Sequence, residues 1–135
     1  MSCNSAIYTA NNTTNVLAVN NVVPMGRIVR RFGKNINLND NTFDVCGDGY
    51  YDVTANFTIA PAATGTVTVT ALKDGAAIPG GVATVTTTST GSTVTLPLSC
   101  LVRLQCCDSN SSISFVTSGS VSATFTNVSV VIKKV

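Results

Sequence analysis

The chain has 135 residues, 44% of them hydrophobic and only 10% charged, with a formal net charge of +2. That length is one domain able to bury roughly two-thirds of its unfolded surface without a metal or disulfide staple, and the charge is too small for bulk attraction to nucleic acid. There is no His, no Trp and no Glu, which removes Ser-His-Asp and Cys-His catalysis and reduces any zinc site to Cys and Asp ligands. So few charges beside so many apolar residues imply a surface that is rich in hydroxyls or covered by partners.

Met1 to Ala10 lacks the basic start and apolar core of a secretory signal, and no apolar run is long enough to span a membrane. The expectation is a protein made and kept in the cytoplasm of its producing cell, with no membrane partner. From Ile7 to about Leu38 the text is irregular, with Asn pairs at 11–12 and 20–21 and Pro24 between short apolar pieces. Asn and Thr compete with helical backbone bonds, so short strands joined by Asn turns are predicted, forming the outer and less regular part of a sandwich.

Arg27, Arg30, Arg31 and Lys34 give the first 39 residues a formal +4 with no acid, and Asp40, Asp44, Asp48 and Asp52 follow at once. Such blocks either neutralise one another across neighbouring strands or protomers, or leave an arginine-rich segment to grip an acidic protein surface. With Phe32 the only stacking candidate, nucleic acid is not the expected partner. The acids do not keep the spacing of a calcium loop, and turn-forming Asp is the simpler reading.

Beyond Leu38 the rhythm is regular. Strands are predicted at Thr42–Cys46, Tyr50–Ala60, Thr66–Leu72, Ala76–Ile78 with Val82–Thr87, Thr93–Leu104, Ser112–Thr117 and Val121–Ile132. Apolar and polar side chains alternate through them, with turn residues every 8–14 positions. Lys73-Asp74-Gly75 reads as a two-residue hairpin turn, and Pro79-Gly80-Gly81 as a bend or bulge at a sheet edge. The domain is single, 1–135, with 1–40 the irregular outer part and 41–135 the sandwich core.

The five cysteines are Cys3, Cys46, Cys100, Cys106 and Cys107. Their odd number forbids complete intrachain pairing and their spacing fits no zinc motif. They are either reduced thiols packed as small apolar groups or, at Cys106 and Cys107, an interchain disulfide or metal cluster about a symmetry axis. No cofactor or metal is expected, and the lack of a reactive constellation argues against an enzyme.

Gly49-Tyr50-Tyr51 with Phe57, then Ala71-Leu72-Lys73-Asp74-Gly75, Thr93-Val94-Thr95-Leu96 and the strand at Ser111–Phe115 resemble the complement-globular-head and tumour-necrosis-factor-like jelly roll over roughly Phe43 to Val135. Ile28-Val29-Arg30-Arg31-Phe32-Gly33 and Leu101-Val102-Arg103-Leu104-Gln105-Cys106-Cys107 are further similar to small jelly-roll proteins of Firmicutes bacteriophages and prophages. The resemblance implies an all-β jelly-roll sandwich of about eight to ten antiparallel strands that trimerises about a threefold axis. Doublets such as Tyr50-Tyr51, Leu101-Val102 and Val130-Val131 add a second apolar face, which supports a subunit interface independently.

The interface residues expected are Tyr50, Phe57, Phe115 and Phe125, unless these aromatics fill the protomer's own core. The expected function is a trimeric capsid decoration or head-fibre protein on a bacteriophage virion, made in the host cytoplasm. It would touch the major capsid protein through Arg27, Arg30, Arg31 and Lys34 and stabilise the head. The alternative is a receptor- or glycan-binding module on a virion, tail or spore surface.

Overall fold

The computed structural model describes residues 5–47, 49–87, 93–104 and 111–135. Eleven strands make up these residues: β1 (Ala6–Asn11), β2 (Asn15–Leu17), β3 (Arg27–Phe32), β4 (Ile36–Asn39), β5 (Thr42–Val45), β6 (Gly49–Pro61), β7 (Gly65–Lys73), β8 (Ala76–Thr87), β9 (Val94–Leu104), β10 (Ser111–Gly119) and β11 (Ala123–Lys134). Two antiparallel sheets result. The first has the order β3-β1-β11-β6-β9, with β2 also paired to β11, and the second β4-β5-β10-β7-β8. From β6 onward the chain crosses repeatedly between the sheets, as a jelly roll does.

The strand count exceeds the eight to ten expected because the irregular first 40 residues split into four short strands. That segment is also less peripheral than its text suggests. β3 and β4 are edge strands, but β1 lies between β3 and β11, and its Ile7 is fully buried.

The alternation in β6 sorts its side chains as the period of two requires. Tyr51, Val53, Ala55, Phe57 and Ile59 point into the sandwich, while Tyr50, Thr54 and Asn56 face out. Phe57 meets Phe115 of the second sheet edge-to-face at 5.6 Å between ring centroids, and Phe125 of its own sheet at 6.1 Å. All three rings are at most 1% exposed. Phe57, Phe115 and Phe125 are therefore the protomer's own core, not the subunit contact expected of them: rings already desolvated between the sheets have no surface left to offer a partner.

The hairpin between β7 and β8 forms as its residues dictate. Asp74 and Gly75 have φ of 53° and 85°, and Lys73 pairs with Ala76, as a turn with two left-handed residues requires. Asp74 also exchanges bonds with β10: its backbone N–H donates to the Ser112 carbonyl, and its Oδ1 accepts from the Ser112 N–H, each at 2.9 Å. Pro79-Gly80-Gly81 does not interrupt the return strand. Thr70 pairs with Val82 and Leu72 with Ala77, so Ile78 to Gly81 bulge opposite Ala71 at the edge of the second sheet.

A cation crosses each open side of the sandwich to a backbone carbonyl. Arg31 Nε of β3 donates to the Ile36 carbonyl of β4 at 2.8 Å, and Lys73 Nζ of β7 donates to the Arg103 carbonyl of β9 at 3.0 Å. Each ties one sheet to the other where the strands run out of partners.

Candidate functional site: the outer face of the first sheet and its β3 edge

The two outer faces differ in chemistry. On the second sheet Thr68 and Thr84 face each other across β7 and β8 with hydroxyl oxygens 3.0 Å apart, and Thr66 and Thr86 repeat the pair at 3.5 Å. Such a hydroxyl ladder satisfies itself and tolerates water. The first sheet exposes larger apolar groups, Tyr8 at 37%, Tyr50 at 47% and Leu101 at 57%, while the second also exposes Val82, paired with Thr70 beside the ladder, and Val22, bridged to Val116. Val131 pairs with Tyr8 and is partly exposed beside it.

The doublets expected to supply a second apolar face therefore do so. Tyr51, Val102 and Val130 turn inward and Tyr50, Leu101 and Val131 outward. Tyr50 stands opposite Arg103 on β9, whose guanidinium carbon lies 5.7 Å from the ring centroid, within range of a cation–π contact. Of the four expected interface residues only Tyr50 has accessible surface. Tyr8 escapes the sequence reading because it sits in a short strand that text dominated by Asn and Thr conceals. A small recess of about 90 Å³ opens beside it, lined by Ala6, Tyr8, Arg30, Phe32 and Val131.

β3 is exposed at all six positions, and among the described residues its backbone pairs with β1 alone. Its pairing slips between Tyr8 and Thr9: Ala6 pairs with Phe32 and Tyr8 with Arg30, but Thr9 pairs with Ile28 and Ala10 with Arg27. Val29 is the extra residue. Ala6, Tyr8 and Ala10 alternate with the buried Ile7 and Thr9 and so mark the outer face. The bulge thereby brings Arg27, Arg30 and Phe32 onto one face, although strict alternation would set Arg27 and Arg30 on opposite sides. Lys133 joins them through its pairing with Ala6.

Arg31 turns toward the second sheet and is occupied at Ile36. Lys34 is exposed in the loop after β3. Among the described residues none of Arg27, Arg30, Arg31 and Lys34 forms an ion pair with Asp40, Asp44 or Asp52. Neutralisation of the two charge blocks between neighbouring strands is thus not seen within the protomer; Asp48 lies outside the described residues.

Cys46 and Cys100 are free thiols, each half-buried. Burial, and then the Asp52 carboxylate, push the Cys100 thiol upward in pKa, which is the reverse of what activates a nucleophilic thiolate. Cys3, Cys106 and Cys107 lie outside the described residues. Among the described residues no three Cys or Asp side chains gather as metal ligands.

No protein-family model matches the chain, and no curated protein matches it in sequence. Its fold is that of several solved structures. It is similar to murine APRIL with a TM-score of 0.75 and 11% identity, over 98% of this chain and 99% of that one. The PRD1 vertex protein P5 gives 0.68 and 14% over 100% and 99%. The globular domain of zebrafish complement 1qA gives 0.63 and 8% over 95% and 93%. At these identities the likeness is one of fold: an all-β jelly-roll sandwich, as the resemblance implied.

Proposed function

We propose that the chain is a structural virion protein: a homotrimer that decorates the outside of a bacteriophage head, binds the major capsid protein and stabilises the shell. It is not an enzyme. The observation that carries the reading is an exposed, unneutralised arginine strand on a fold shared with a vertex protein of PRD1. Such a strand suits a module that docks on an acidic protein surface.

Self-association is supported by the aromatic and aliphatic side chains exposed on the outer face of the first sheet. Tyr8 and Val131 lie toward one side of the first sheet, and Tyr50 and Leu101 toward the other. Two unlike apolar patches on one protomer suit a head-to-tail contact, which closes into a ring when each protomer covers the next. Three copies then present three β3 strands to the shell, and modest contacts repeated three times sum to strong avidity. A shell whose subunits are bridged in this way is stabilised by linkage.

The test is co-sedimentation with capsids. A variant carrying Arg27→Ala and Arg30→Ala should remain a folded trimer yet lose head binding, and undiminished binding would overturn the assignment. Arg31 is left in place because it holds the two sheets together through Ile36.

A second reading, a glycan- or receptor-binding module, draws on the three aromatics Tyr8, Phe32 and Tyr50 exposed on and beside one face. Binding of the purified protein to cell-wall glycan but not to capsids would favour it.

A further inference from the structure

We infer that the free edge of β3 is a docking strand for an extended, acidic segment of a partner protein, which adds to the first sheet as a further strand. This rests on the reading of β3 as the partner-binding segment and specifies the chemistry of what it binds.

β3 offers six consecutive exposed residues and uses only the side of its backbone that faces β1. Among the described residues nothing pairs with the other side, whose row of N–H and C=O groups is the template on which strand addition works. Proteins commonly blunt such an edge with charge, and three arginines in six residues would do that if nothing else were exposed. Here the edge also leaves Ile28 at 39%, Val29 at 45% and Phe32 at 59% open to solvent. An edge meant only to repel would not retain that much apolar surface.

The charge selects the occupant. Pairing β3 with β3 of another copy would crowd six guanidinium groups into one short ladder, and like charges across strands destabilise. A strand with acidic side chains at alternate positions meets the opposite situation. On the outer face its carboxylates fall beside Arg27 and Arg30, which the bulge has aligned and which have no ion pair among the described residues. Its intervening apolar residues fall toward Ile28 on the other side of the strand, since Ile28 shares the register position of the inward Thr9. The bulge therefore aligns Arg27 and Arg30 with Phe32 on the outer side of the strand and leaves Ile28 on the other, where Arg31 is taken up by the Ile36 carbonyl.

The experiment uses the full chain and a short synthetic peptide alternating aspartate with valine. Its controls are the same peptide with lysine for aspartate and a copy N-methylated along the edge that would pair. Amide exchange followed by NMR should show the β3 amides that exchange freely in the unliganded protein slowed about tenfold or more by the aspartate peptide, with shift changes confined to β3 and β1. Neither control should do this, and Arg27→Glu with Arg30→Glu should transfer binding from the aspartate to the lysine peptide. Equal binding of the N-methylated peptide, or shift changes away from β3, would overturn strand addition. Capsid co-sedimentation of the same variant reports separately on the broader reading: loss of head binding with no edge pairing keeps β3 as the contact while removing the added strand.

Discussion

Tyr51 shows how much of this fold hangs on a single polar atom. Its ring is buried beside Val53, yet its hydroxyl sits 2.9 Å from the carbonyl oxygens of both Cys46 and Gly47 at the turn entering β6. Asn35 reaches the same turn, its Nδ2 donating to the Cys46 carbonyl at 2.7 Å, and Ser5 Oγ donates to Asn35 Oδ1 at 2.8 Å. Gly47 takes a φ of 97°, and a Cβ there would run into Asn35 Nδ2. Tyr51→Phe should therefore cost about 0.5–1.5 kcal/mol, the net worth of a typical hydrogen bond, because the Cys46 carbonyl keeps its bond from Asn35. Urea unfolding should show a lower midpoint at an unchanged slope. Gly47→Ala should be at least as damaging, since it adds a backbone strain that Tyr51→Phe does not. Cys100 supplies a prediction of opposite chemistry. Its folded pKa is raised, first by burial and then by Asp52, so the folded state holds the thiol proton more tightly than the unfolded chain. The associated stability is whole below the ordinary thiol pKa and declines as pH rises through and beyond it. Denaturation midpoints of wild type and Cys100→Ala should thus converge as pH is raised from 7 toward 10, and a constant difference would contradict the assignment.

At the scale of elements, β6 is the strand on which both the core and the legibility of the sequence depend. It pairs with β11 on one side and β9 on the other, and its Phe57 contacts aromatic rings of both sheets. Phe57→Ala should destabilise the protomer by about 3–5 kcal/mol, the range for emptying an aromatic site in a packed core. Chemical denaturation checks it, and the effect should be independent of protein concentration once normalised to the assembled state. β6 and β7 could be read from the text because a half-buried strand writes its environment into a period of two. β1 could not, because it has only six residues and its inward positions include Thr9 and Asn11. The face taken by Arg27 and Arg30 was illegible for a different reason. It depends on a bulge against β1, and a slip of one residue in pairing leaves no local trace. The aromatic residues illustrate the converse error: Phe57, Phe115 and Phe125 announce an apolar contact, but composition does not say whether the contact lies within the chain or between chains.

The whole molecule is a sandwich whose first sheet exposes Tyr8, Tyr50 and Leu101 beside a basic edge and whose second sheet exposes a threonine ladder with Val82 and Val22, and the face an assembly covers sets what it must bury. If the threefold ring is built as proposed, Leu101 is an exposed apolar group on the covered face, far from the β3 edge. Leu101→Asp places a carboxylate where the ring must be dry, without touching the protomer core, because Leu101 is 57% exposed while its neighbour Val102 carries the inward packing. The variant should sediment as a folded monomer where the wild type sediments as a trimer. Its thermal midpoint should lose the dependence on protein concentration that an assembly of folded protomers confers. Thr84→Asp on the opposite face is the control, since Thr84 is exposed on the hydroxyl ladder with Thr68. If both substitutions left the trimer intact, the first sheet would not be the assembly face. If Thr84→Asp alone dissociated it, the second sheet would be the assembly face.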